Sequence, residues 1–307
     1  MRRNGITGHG EATTPPYLKE QQVNVIAMLS RMGIKDLDEL VANGFPVDGP
    51  AARAAMTTAY FDLISKEKDI DIDELLEVRI DSGSIVRHDV ITLGLGPLED
   101  IDPELQQLPA FNSLKIKLDG NDDLSRLERI LTQDGRPVLL DANQAWCSLD
   151  HALEVLELVG TRCIGLEQPF PVERTDLQTE LIGRTDIPVY ADESITTLAD
   201  LERLAGIFSG VNIKLMKCGG LDRAVEIARK ARSFGHRVML GSMSESSLGC
   251  GAMMALAGIA DVVDLDGPWL LANDPFHGMV LERGQLVMKN SISEIPETLL
   301  NWTPIGA

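Results

Sequence analysis

Short apolar runs, each closing on a charged residue, recur at a nearly constant interval through the middle of the chain. They are SLKIK (113–117), PVLLD (137–141), IGLE (164–167), PVYAD (188–192) and VNIK (211–214), and the closing charges Lys117, Asp141, Glu167, Asp192 and Lys214 stand 24, 26, 25 and 22 residues apart. A step of about 25 residues holds one strand, one loop and one helix, the repeat that closes eightfold into a barrel of roughly 200–250 residues. Helices are predicted between the runs, at 122–134, 148–159, 173–184, 197–206, 220–234 and 246–258. Several open on good N-cap residues: Asn121 or Asp122, Ser148, and Thr196 or Thr197. ITLGLG (91–96) supplies a first strand and 98–108 a short helix, while RVMLG (237–241) and DVVDLD (261–266) supply the seventh and eighth strands. Eight strands with eight connections favour a closed α/β barrel over an open doubly wound sheet.

Residues 1–88 lack this rhythm. They hold a glycine-rich opening and predicted helices over 17–32 and 49–67, with Pro46, Gly49 and Pro50 as punctuation between them. The expected division is a small α+β domain over 1–88, a (β/α)8 TIM-type barrel over 89–284, and a C-terminal segment over 285–307 that returns to the N-terminal domain.

Composition narrows the class without naming a reaction. A chain of 307 residues accommodates one barrel with an appendage, and 44% hydrophobic with 24% charged residues is ordinary for a globular protein. A net charge of −19 argues against nucleic-acid or anionic-membrane partners, which need basic patches. Four cysteines without a CxxC spacing read as reduced thiols of a cytoplasmic protein. The start MRRNGITGHG has no apolar core of a secretory signal, and CGAMMALAGIA (250–260) falls short of the roughly 20 residues of a membrane span, so a soluble protein is expected.

The recurring charges carry the candidate chemistry. Residues at the C-terminal ends of barrel strands face the active site. Lys115 and Lys117 are two apart on the second strand and point the same way, while Lys214 ends the sixth strand, opposite in the ring. Asp141, Glu167 and Asp192 fill the arc between, and Asp264 and Asp266 end the eighth strand. Each acid alone is as easily a helix cap or a surface ion pair. Three at matching positions on consecutive strands instead suggest a hard-oxygen site suited to Mg²⁺. Two lysines facing each other across a metal suggest proton transfer at a carbon held between them. Removing a proton next to a carboxylate creates an enediolate, which a divalent cation stabilises. A lysine base needs its pKa lowered toward about 7–8; Lys115 and the metal supply positive charge near Lys117, the metal near Lys214, with Lys217 a weaker candidate. Lys115 is better suited to binding a substrate carboxylate or to an electrostatic role. No histidine suits a base: His236 precedes the seventh strand, and His9, His88, His151 and His277 fit no strand end. The Gly219–Gly220 pair is explained by a turn between strand and helix.

KIK (115–117), LLDANQAW (139–146), LEQPF (166–170), YADES (190–194) and NIKLMKCGG (212–220), in this order, resemble the enolase superfamily, muconate-lactonizing subgroup. The resemblance runs from Gly8 onward. It implies one Mg²⁺ held by Asp141, Glu167 and Asp192, and acid/base lysines at Lys117 and Lys214. DLDGP (264–268) resembles the Asp-x-Asp of the dipeptide epimerases, which implies that Asp264 and Asp266 hold a substrate ammonium. GSMSE (241–245) resembles the seventh strand end of those enzymes, and Glu245, with Asn143, becomes a candidate for supporting the residues that touch substrate.

The function so implied is Mg²⁺-dependent epimerisation of dipeptides, from L,L to L,D at the C-terminal residue, by two-lysine 1,1-proton transfer through a metal-stabilised enediolate. Two alternatives stand beside it. One is a lyase of the o-succinylbenzoate synthase or muconate cycloisomerase type, whose substrate has no ammonium; the other is a metal-binding, catalytically impaired truncated homologue. The expected partner is a small dipeptide, and nothing in the chain excludes a homo-oligomer. GHGEA (8–12) resembles the third strand of the superfamily's N-terminal capping domain, normally preceded by a longer stretch with a mobile loop over the substrate. A small, truncated α+β capping domain is therefore expected. The preferred side chains of the dipeptide are not legible.

Overall fold

Successive side chains of a strand point to opposite faces, so alternate residues decide what fills a barrel and what faces its helices. The computed structural model describes residues 1–14, 19–31, 37–45, 47–78 and 87–288. Eight parallel strands close a ring in chain order: β1 (His88–Leu93), β2 (Ser113–Lys117), β3 (Val138–Asp141), β4 (Cys163–Glu167), β5 (Val189–Ala191), β6 (Gly210–Lys214), β7 (Arg237–Gly241) and β8 (Val262–Asp264). β8 pairs back onto β1, and this closed barrel is the one the strand rhythm predicts. β1 begins three residues earlier than expected: Val90 pairs with Ser113, and Gly94 and Gly96 already belong to the loop. β8 ends at Asp264, and Asp266 precedes a short helix, Gly267–Leu270.

The lower half of the ring is filled by apolar side chains. Val90, Leu139, Tyr190, Met239 and Val262 form a buried cluster, drawn mostly from alternate strands as in other such barrels. The Tyr190 ring takes the space that two glycines leave: a Cβ at Gly165 on β4 or Gly210 on β6 would come within 2.6 or 2.5 Å of it. Outward-facing residues such as Leu114, Ile116, Leu140, Leu166, Ile213 and Leu240 join the larger core under the surrounding helices. Ser148 caps its helix as predicted, accepting from His151 N–H. Asn121 and Asp122 provide no such cap; Asp123 instead accepts from Gly120 N–H. Nor do Thr196 and Thr197: the helix starts at Asp200, whose own carboxylate accepts from both threonine N–H groups.

Ahead of the barrel lie a hairpin (Arg2–Arg3 with Ile6–Thr7), helices Gln22–Arg31 and Leu37–Ala42, and the long helix α1 (Pro50–Lys68). Arg53 of α1 is buried and grips the turn after β6. Its guanidinium donates to Gly219 O and takes both carboxylate oxygens of Asp222 on α2 (Leu221–Ser233). Residues 8–12, expected as a strand, lie outside any strand and cross α1 instead. The start of the C-terminal segment pairs Gln285–Met288 with Met279–Glu282. Arg87 and Asp89 hold Leu286 against β1; residues 289–307, expected to return to the N-terminal domain, lie outside the described residues. No helix among the described residues is long and apolar enough to cross a membrane.

Tyr190→Ala would empty the centre of the lower barrel, where the flanking strands cannot collapse inward. A stability loss of about 3–5 kcal/mol is expected. Urea denaturation followed by circular dichroism measures it; a loss below 1 kcal/mol would mean that the ring does not fill the barrel.

Candidate active site

Alternation that buries Tyr190 inside also turns a set of charged residues inward at the C-terminal end of the ring. Lys117, Asp141 and Glu167 pair across β2, β3 and β4 and so stand at one level. Lys214, Gly241 and Asp264 are aligned likewise across β6, β7 and β8. Asp192 is the first residue beyond β5. Gly241 is part of the arrangement, since a Cβ there would meet Asn212 Oδ1 at 2.5 Å and Lys214 Cε at 2.9 Å. A cavity of about 610 Å³ opens above, lined among others by Lys115, Lys117, Asp192, Lys214, Asp264 and Asp266. Asp141 and Glu167 lie just beneath, both fully buried.

Asp141, Glu167, Asp192 and Asp264 each meet an ammonium group. Lys115 Nζ stands 2.6 Å from Asp264 Oδ2, 2.9 Å from Asp141 Oδ2 and 2.8 Å from Glu167 Oε2. Lys117 donates to Asp141 Oδ2 at 2.6 Å and to Asn143 Oδ1 at 2.7 Å. Lys214 lies 2.9 Å from Asp192 Oδ2 and 4.0 Å from Glu167 Oε1. Lys217, which sequence ranked as the weaker neighbour of Lys214, turns back to hold Asp192, bonding its carboxylate and, at 2.7 Å, its backbone carbonyl.

The electrostatics follow from this packing. Burial alone would raise Asp141, but Lys115 and Lys117 outweigh it and hold the carboxyl down at about 2. Burial works the same way on Asp192, which Lys214 and Lys217 hold far below the usual carboxylate range. Glu167 goes the other way: burial, reinforced by Asp141, pushes it up to about 7 despite Lys115. Asp266 rises to about 6, through burial and then its neighbour Asp264, although Thr92 N–H bonds its Oδ2 at 2.6 Å.

A metal would find hard oxygen donors here, but not gathered. Among the described residues no group of three or more His, Cys, Asp or Glu is drawn together to hold a metal, because ammonium groups stand between the carboxylates. Sequence reasoning expected the three acids to converge on one cation; they are adjacent, but they converge first on lysines. Two observations nevertheless fit a divalent cation. Glu167 Oε2 is buried without a hydrogen-bond donor, since Lys115 approaches it off the bonding direction. Among the described residues, Asp141, Glu167, Asp192, Glu193, Asp264 and Asp266 face only Lys115, Lys117, Lys214 and Lys217, which leaves negative charge uncompensated.

Three supporting residues escaped the sequence reading. Asn212 donates to Glu167 Oε1 at 2.7 Å; lying two before Lys214 on one strand, it was legible by the same alternation. Gln168 Oε1 accepts from the N–H groups of Asp192 (3.0 Å) and Ser194 (3.2 Å), fixing the turn after β5. Thr92 anchors Asp266. Asn143 Oδ1 accepts from Lys117, and the buried Glu245 accepts through Oε1 from the N–H of Met243, a residue that lines the cavity. His151 sits in a packing role, bonded to Asp123.

Round the closed barrel the strand ends carry a lysine, three consecutive acids, a second lysine and, after Gly241, a further acid, the setting of an enzyme site at the C-terminal face of a barrel. The family model described as enolase C-terminal domain-like matches residues 104–297, and the chain belongs to that family. It is 31% identical to the L-Ala-D/L-Glu epimerase of Bacteroides thetaiotaomicron, over 93% of this chain and 76% of the relative. An N-acetyl-D-glutamate racemase of a Pseudoalteromonas species is 35% identical over 82% of this chain and 77% of its own length. The crystal structure of a dipeptide epimerase from Methylococcus capsulatus, complexed with Mg and L-Arg-D-Lys, superposes with a TM-score of 0.80 at 32% identity, covering 93% of this chain and 86% of that one.

Replacing Lys217 by Met would leave Asp192 buried with one ammonium partner instead of two. A destabilisation on the order of 3 kcal/mol is expected by urea denaturation. An unchanged midpoint would show that the Lys217–Asp192 contact contributes nothing to the fold.

Proposed function

We propose that the protein is an isomerase that epimerises dipeptides at the C-terminal residue. The observation that carries the reading is that Lys117 and Lys214, from opposite sides of the ring, line one cavity with Asp264 and Asp266. The relatives support it, since an L-Ala-D/L-Glu epimerase and a dipeptide epimerase complexed with Mg and L-Arg-D-Lys are among them.

The residues divide the work by position. Asp264 and Asp266 receive the substrate's ammonium, with Thr92 N–H fixing the Asp266 carboxylate. Lys117, steadied by Asn143, and Lys214, steadied by Asp192, flank the α-carbon. Burial would lower Lys214, but Asp192 and then Glu167 outweigh it and hold this lysine above its usual range, as an ammonium in this structure, against the lowering expected of a base. Whichever of the two lysines is neutral takes the α-proton, and the opposite ammonium returns one to the other face, so atoms and charge balance. Lys115 offsets negative charge on the carboxylate side. Asp141, Glu167 and Asp192 would hold a divalent cation such as Mg²⁺. What the bound cation supplies is positive charge opposite the negative charge that develops on the substrate carboxylate as the proton leaves.

Proton NMR of a panel of L,L-dipeptides in D₂O with Mg²⁺ tests this. The C-terminal α-proton signal is expected to vanish, to persist in EDTA, and to persist for N-acetyl amino acids in the same panel. Lys117→Met and Lys214→Met should each lose interconversion of the epimers. No exchange in any dipeptide with Mg²⁺ present would sink the reading.

Asp266→Asn should raise KM for free-amine dipeptides roughly tenfold or more, by removing the charge that holds the ammonium. Unchanged affinity would mean that strand eight does not bind the ammonium.

A further inference from the structure

The GHGEA segment takes no part in the site as described so far. Its glycines lie flat on α1, where a Cβ at Gly8 would stand 2.1 Å from Ala59 O and one at Gly10 only 1.9 Å from Ala55 O. His9 N–H donates to Asp62 Oδ2 on the same helix at 2.7 Å. Further on, Thr13 N–H reaches Met216 Sδ at 3.4 Å, just after β6. A segment pinned at both ends presents its acid to one place: the start of helix α3 (Ser247–Met254).

There Glu11 does what a capping residue does, from 235 positions away. Its Oε1 accepts from Ser246 N–H at 3.0 Å and its Oε2 from Gly249 N–H at 2.9 Å, with the Ser246 hydroxyl donating as well. The first N–H groups of a helix have no carbonyl partner within it, and a carboxylate there gains charge-assisted bonds. Immediately before this helix, Ser242, Met243 and Ser244 form one wall of the cavity. The same wall is held from inside by Glu245, which accepts from Met243 N–H at 2.8 Å. Asp274 accepts from Ser247 N–H at 3.1 Å. The turn therefore has three acidic anchors, and Glu11 is the one delivered by the N-terminal segment.

We propose that Glu11 is a positioning residue of the substrate site, setting the Ser242–Ser244 wall beside Asp264 and Asp266. In its kinetic arm the proposal rests on the epimerase reading; in its structural arm it does not. Hydrogen–deuterium exchange followed by mass spectrometry reads the structural arm. Glu11→Ala should speed exchange across 242–250 about tenfold and leave β2 (Ser113–Lys117) protected, the loss of roughly one charge-assisted hydrogen bond. KM for the fastest dipeptide should rise about tenfold with kcat unchanged. Glu11→Gln, which keeps the shape and one oxygen acceptor, should fall between; it carries the same comparison should Glu11→Ala fail to fold. Unchanged exchange and KM would overturn the proposal, and so would loosening of β2 equal to that of 242–250, which marks a general stability role. If no dipeptide is turned over by the unaltered protein while exchange still separates the variants, the epimerase reading falls and the positioning of the wall stands.

Discussion

A carboxylate taken out of water costs several kcal/mol unless cations or hydrogen-bond donors replace its solvation, and Asp141, Glu167 and Asp192 are all buried in one ring of strand ends. Lys115, Lys117, Lys214 and Lys217 make that burial tolerable, each bonded to at least one of these acids or to Asp264. The compensation is uneven. Asp192 is held by two lysines and stays ionised, whereas Glu167, with an oxygen lacking a donor, titrates near neutrality. The shortfall of positive charge is located at the acid between the other two, where a divalent cation would serve best. Two of the ammonium groups that stabilise the resting protein, Lys117 and Lys214, are those proposed to exchange a proton with substrate.

Such a cluster keeps its geometry because rigid structure lies under it. The apolar layer around Tyr190 fills the lower barrel, and four of the inward acids sit two residues further along the chain than a core residue or glycine: Leu139 under Asp141, Gly165 under Glu167, Tyr190 under Asp192, Val262 under Asp264. Shifting any strand by one residue would turn its charge outward, so core and site hold the register together. The cavity walls are different. They come from loops, and their shape depends on acids borrowed from elsewhere, Glu11 and Asp274 among them.

Much of this was legible before any coordinates. The strand rhythm placed Lys117, Asp141, Glu167 and Lys214 at strand ends, and alternation put Lys115 and Lys117 on one face; the fold bears out both. The same rule would have found Asn212, two residues before Lys214. Lys217 could not be placed, because it lies in a helical turn whose direction depends on Gly219 and Gly220 and on Arg53 gripping that turn. Nor did anything local mark Gln168, which acts through N–H groups of the next strand's turn. The caps expected at Thr196 and Thr197 failed for a related reason: Asp200, inside the helix, competes for the same N–H groups and carries a full charge.

Residue order alone determined the periodicities, and with them a closed barrel and its inward-facing acids and lysines, on which the proposed carbon-acid chemistry rests. These are properties of spacing along one chain, and spacing needs no partner. Which lysine neutralises which carboxylate, the burial that lifts Glu167 while Asp141 stays low, and the delivery of Glu11 to a helix start 235 residues distant are pairings between segments far apart in sequence. They depend on distances of a few ångströms and on the exclusion of water, and both come into being only when the ring closes.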